Sequence, residues 1–116
     1  MSRTFTVVAL VTLAPAWLRM TRTEREEFND EHVAPVLARH AGRVGMRHVD
    51  VEAFTGTCSD VLIFTTDDLA AFASLWDDLR DTPLFARPLL EVVDVLVGLD
   101  AEWVRRPDPA PLAAGV

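Results

Sequence analysis

Arg47-His-Val-Asp-Val-Glu-Ala-Phe54, followed by Thr55-Gly-Thr-Cys58 and Ser59-Asp60, decides how this chain is read. Titratable and apolar side chains alternate along it, the period of a strand with two unlike faces. Taken as one strand over residues 44 to 54, it places His48, Asp50 and Glu52 on one face. Arg47 falls on the other, beside Val49, Val51 and Ala53. Val44 and Met46 precede the polar trio and Phe54 follows it. Such an apolar frame around an acid/base cluster suits a pocket floor, and it equally suits a strand whose polar face meets water.

Working outward, the glycine-containing turn leads into a second apolar run over residues 60 to 65, so the pair reads as an antiparallel hairpin. Asp60 opens that strand, and the expectation is that it closes the turn or pairs with Arg47. Upstream, residues 3 to 13 form a strand apolar on both faces from Val7 to Val11. Pro15 breaks it, and Trp17 falls just past the strand end, where it caps a pocket or closes the core. A helix follows to about His40. Thr21 or Thr23 is its N-cap, and Thr23 to Glu26 fits a capping box. Phe28, His32, Val36 and His40 recur at i+4 on its buried side, and Pro35 predicts a kink. His32 either faces the strand cluster or is a satisfied structural histidine. Downstream, residues 68 to 80 form a second helix carrying Phe72 and Trp76 on a broad apolar stripe. A two-proline connector over residues 82 to 88 brings in Phe85. The last strand, residues 89 to 99, holds a buried Asp94 between Val92 and Leu96. From Val104 onward the Pro/Ala-rich composition predicts an extended or flexible tail, residues 104 to 116, beyond one domain over residues 1 to 103.

The order β-α-β-β-α-β is the split βαβ of the ferredoxin-like fold, an α+β class with one four-stranded antiparallel sheet. Two helices cover one face of that sheet, yet most strands are apolar on both. A second copy of the sheet is the expected cover, giving a homodimer built as a dimeric α/β barrel.

Composition narrows the partners. A net charge of −7 disfavours nucleic acid and anionic membranes. No apolar run approaches a membrane span, and the N-terminal residues lack a signal-peptide pattern. The single cysteine, Cys58, suits a reducing compartment, so a cytoplasmic location is expected. Glycine-rich phosphate loops, nucleophile elbows and paired cysteines are missing from the sequence. Eight helical residues separate His32 from His40 by about 12 Å, too far for one ion. His48, Asp50 and Glu52 spread along about 13 Å of strand. Neither a metal nor another cofactor is expected.

Five motifs in order carry a family resemblance: Pro-Ala-Trp-Leu at 15 to 18, Ala-Pro-Val-Leu-Ala-Arg-His at 34 to 40, Asp-Val-Glu-Ala-Phe with Ser-Asp-Val-Leu between 50 and 62, Leu-Arg-Asp-Thr-Pro-Leu-Phe at 79 to 85, and Glu-Val-Val-Asp-Val at 91 to 95. Over residues 4 to about 100 the chain resembles the darcynin family. That resemblance implies the dimeric α/β-barrel architecture and no particular activity. Proteins similar in fold include cofactor-free monooxygenases of polyketide quinones, small isomerases and cyclases, and non-catalytic binders.

Two functions follow as expectations. In the first, a sheet–helix cavity walled by Trp17, Phe28, His32, Met46, Phe54, Phe72, Trp76 and Phe85 holds a small apolar, polyketide-like or aromatic substrate. His48, Asp50 and Glu52 then perform cofactor-free acid/base chemistry on it: isomerisation, cyclisation, dehydration or oxygenation. In the alternative, the protein is a non-catalytic ligand-binding or structural homodimer, with the polar trio at its interface.

Overall fold

The structure, a computed structural model, describes residues 3 to 100. Its elements are β1 (Phe5–Leu13), α1 (Pro15–Leu18), α2 (Arg22–Phe28), a π-helical turn (Asn29–Val33), α3 (Ala34–His40), β2 (Val44–Asp50), β3 (Asp60–Thr66), α4 (Leu69–Arg80), α5 (Pro83–Ala86) and β4 (Leu90–Leu99). The strands form one antiparallel sheet in the order β2-β3-β1-β4, the ferredoxin-like arrangement that the element order predicts. The expected tail lies outside the described residues.

Alternation along the strands divides the sheet into two unlike faces. Val7, Ala9 and Val11 of β1, Val44 of β2, Phe64 of β3 and Leu90 of β4 meet Val36 of α3 and Phe72, Leu75 and Leu79 of α4 in the buried core. An aromatic cluster fills part of this layer: Trp76 lies 5.6 Å from Phe72, 5.5 Å from Phe85 and 6.0 Å from Phe64 between ring centroids. The opposite face carries Val8, Leu10, Val61 and Ile63, partly exposed, because all the helices lie on the first face.

Two local expectations are corrected, the start of the capping box and the burial of Asp94. The N-terminal cap of α2 is Thr21, whose hydroxyl accepts from the Glu24 amide while the Glu24 carboxylate accepts from the Thr21 amide. The capping box therefore starts two residues before the Thr23 pattern. Just ahead of Pro35, which lacks an N–H, the chain inserts a π turn, and the Ala34 amide bonds to the Asn29 carbonyl. Asp94 is exposed rather than buried. A register shift between Leu10 and Val11 moves Val92 to the helix side while Asp94 and Leu96 stay on the open face. The Asp94 carboxylate accepts from the Val95 amide at 2.8 Å. Among the described residues, no helix is long and apolar enough to cross a membrane.

Candidate functional site

The strand that carries the polar trio ends earlier than its alternation suggests. Asp50 Oδ1 accepts from the Glu52 amide at 3.0 Å, and the Phe54 amide bonds back to the Val51 carbonyl at 2.9 Å. These local bonds turn the backbone out of the sheet, the usual way aspartate competes with strand pairing. Glu52 therefore leaves the face it was expected to share with His48 and Asp50, and it projects from an exposed turn. Phe54 is 90% exposed, which removes it from the pocket wall.

His48 finds a different carboxylate. Asp50 pairs with Asp60, and His48 with Leu62, so Asp60 lies diagonally across from His48 on the helix face. His48 Nε2 and Asp60 Oδ2 are 2.6 Å apart. Asp60 is 7% exposed in its side chain, and His48 is 55% exposed. Ser59 fixes where β3 begins: its amide donates to the Val11 carbonyl at 3.0 Å, and its hydroxyl accepts from the Leu13 amide at 2.9 Å. The expected pairing of Asp60 with Arg47 does not form, because Arg47 points to the opposite face.

This pair borders a cavity of about 150 Å³ between sheet and helices. Its floor is Val11, Met46, Leu62 and Phe64 of the sheet; Trp17, Val33, Leu37 and Leu84 come from the helical layer. Its polar lining is Asn29, His48 and Asp60. An apolar space of that order admits a molecule about the size of benzene. Trp17 is held in place from outside: Arg25 donates through Nε to the Trp17 carbonyl and through Nη2 to the Leu18 carbonyl, with its guanidinium 5.9 Å from the indole centroid.

Of the residues expected at a site, the structure thus brings Trp17, Met46 and His48 to one cavity. Phe28 is buried behind Trp17, edge-on at 5.8 Å, and His32 packs on Phe28 at 4.8 Å with Nε2 3.7 Å from Glu31. Phe72, Trp76 and Phe85 belong to the aromatic cluster of the core and do not line the cavity. Asp50, Glu52 and Phe54 border a separate, shallow surface cleft. Asn29 and Asp60 are the cavity's polar residues that the sequence reading leaves out. A hairpin register pairing Asp50 with Asp60 would have signalled the second; nothing in the sequence signals the first without the π turn. Among the described residues, no three His, Cys, Asp or Glu side chains converge on a metal position.

A ferredoxin-like sheet with a small, largely apolar helix-side cavity and a histidine–carboxylate pair at its edge describes a class of architecture. The family model for Darcynin, a domain of unknown function, matches residues 1 to 114, and the chain belongs to that family. The match runs beyond the stretch in which the motifs are read. A Darcynin from Chromobacterium violaceum is 44% identical over 66 residues, 57% of this chain and 82% of its own length. A Darcynin homolog from Streptomyces avermitilis is 33% identical over 108 residues, covering 93% of this chain and 88% of the relative. Among solved structures, chlorite dismutase from Candidatus Nitrospira defluvii in complex with imidazole superposes with a TM-score of 0.73 at 13% identity. That superposition takes in 91% of this chain and 42% of the enzyme, so the chain spans less than half the length of that protein. At such identity the likeness is one of fold.

Proposed function

We propose that this protein takes a small, one-ring apolar molecule into its helix-side cavity and exchanges a proton with it through His48. The observation that carries the reading is the 2.6 Å contact between His48 and buried Asp60 at the edge of an otherwise apolar cavity. A carboxylate accepting from Nε2–H selects the tautomer that leaves Nδ1 with its lone pair free. Nδ1 has no hydrogen-bond partner among the described residues. The chemistry is cofactor-free acid/base catalysis on an activated carbon acid, with His48 as the proton carrier and Asp60 as its positioning residue. Asp50 and Glu52 have no part in it. The volume of about 150 Å³ supports a single-ring substrate over a fused polyketide quinone. The cytoplasm, where Cys58 stays reduced, is the compartment that suits this reading.

The open sheet face is given to a second copy of the chain. Arg47 stands on that face at the β2 edge, and Glu91 and Asp94 stand on it at the β4 edge. A two-fold packing that lays β2 over the partner's β4 sets opposite charges together at both rims, with Val8, Leu10 and Ile63 between them.

The test is imidazole NMR with single-ring probes, phenol and toluene. Addition of probe should shift the His48 resonances and leave those of His32 and His40 unmoved. Probe binding with His48 undisturbed, or no binding at millimolar concentration, would return the His48–Asp60 pair to a purely structural role in the hairpin.

A further inference from the structure

We propose that Asn29 is the oxyanion-holding residue of this site, and that the substrate is a one-ring, enolisable carbonyl compound. The proposal rests on the reading of His48 as proton carrier and narrows it to enolate chemistry.

Asn29 is set apart from its neighbours by the backbone. Its amide closes α2 onto the carbonyls of Arg25 and Glu26, and its carbonyl receives the long π-turn bond from Ala34. Both main-chain groups are therefore fixed, and the side-chain carboxamide has no intramolecular partner among the described residues. The π turn places Asn29 and Val33, its first and last residues, on the cavity wall. Asn29 also borders the outer cleft beside Trp17, Arg25 and Asp30, so it stands between cavity and solvent. π turns recur at functional sites because they redirect side chains that a regular helix would stack elsewhere.

The cavity then offers polar groups from two layers. His48 comes from the sheet and Asn29 from the helical roof, with Asp60 already engaged by His48. A proton carrier and an exposed, neutral N–H donor bordering one apolar space are the parts required to form an enolate. Neutral His48 takes a proton at Nδ1 from the carbon next to the carbonyl. The C–H electron pair becomes the new carbon–carbon double bond, and the carbonyl π pair moves onto oxygen, which accepts from the Asn29 carboxamide. The imidazolium returns its proton to the same carbon or to a conjugated one, so the net result is proton exchange or a double-bond shift. No oxidant or reductant is consumed.

Two measurements on the purified protein test this. The first compares binding of 4-nitrophenolate, a planar oxyanion, with that of nitrobenzene, which lacks the phenolate oxygen. Asn29→Ala should weaken 4-nitrophenolate by about tenfold or more and change nitrobenzene by less than about twofold, the scale of a lost hydrogen bond to a charged group. Asn29→Asp keeps the side-chain shape, supplies a negative charge instead of a donor, and should weaken 4-nitrophenolate further; it also decides the matter if the alanine variant folds poorly. The second follows deuterium exchange into cyclohexanone, which wild type should accelerate and either variant should slow by about 10²-fold. Equal loss of both nitro compounds, or no loss of either, overturns the assignment of Asn29 while the cavity reading survives. Failure of wild type to bind either compound overturns both.

Discussion

At the scale of single residues, the side chain of consequence is Asp60 rather than either carboxylate of the alternating strand. A buried carboxylate needs its partner more than an exposed imidazole does. His48→Ala is therefore expected to cost about 1–3 kcal/mol, since it leaves Asp60 buried without a donor. Adding Asp60→Leu, which suits the apolar wall, should recover most of that loss. Urea unfolding of the two single variants and the double variant supplies the coupling energy; strictly additive losses would show that the pair contributes nothing to stability. Asp50→Asn and Glu52→Gln should leave probe binding unchanged.

In the helices, two carboxylates are held below their ordinary range. Asp78 of α4 is held below the usual carboxylate range first by its hydrogen bond from His40 Nε2 at 2.7 Å, with Arg39 at 3.6 Å adding to it. Glu24 is lowered by the Thr21 amide, then by the Thr21 hydroxyl. For carboxyls whose folded values are depressed, the stabilisation is present in full above the unfolded values, about pH 4.5, and is lost as pH falls through the folded ones. Melting temperature should therefore drop on acidification below about pH 4.5. Glu24→Gln with Asp78→Asn should flatten that limb; an unchanged slope would place the acid-labile groups elsewhere. The π turn invites a second test. Deleting exposed Asp30 should draw it into α-helical register, swinging α2 and Asn29 by about 100° around the axis relative to α3. Far-UV circular dichroism should stay the same while 4-nitrophenolate binding is lost. Retained binding would mean that the turn does not position the roof of the cavity.

For the molecule as a whole, the open sheet face is the unresolved energy term. Leu96 is 53% exposed there, beside the half-buried Val8, Leu10 and Ile63. Apolar surface of this kind marks an association site more often than a bare face. Arg47→Asp or Asp94→Arg alone should weaken the proposed dimer, and the two together should restore it. Sedimentation velocity at micromolar concentration reads all three. A wild-type monomer under those conditions would leave the face without its proposed partner.

Element order, sheet class and family are legible in the residues alone. Those follow from hydrophobic period, caps and breakers, all properties of short windows. The sequence also named Trp17, Met46 and His48, since alternation puts Met46 and His48 on one face, but which face meets the helices was decided by the tertiary structure. Partner and register were also beyond the sequence. A tight turn at residues 55 to 58 would set Asp60 opposite Ala53, on the side of Arg47. The observed loop begins earlier and pairs Asp50 with Asp60 instead, turning Asp60 toward His48. One residue of register exchanges the two faces of a strand, and here the choice is made by the Asp50 turn together with the hold of Ser59 on β1, which joins residues 48 apart in the chain. Likewise Pro35 announces a broken helix without saying how the break is absorbed. The tertiary structure absorbs it as a π turn packed against α3 and α5, and with that turn comes the place of Asn29.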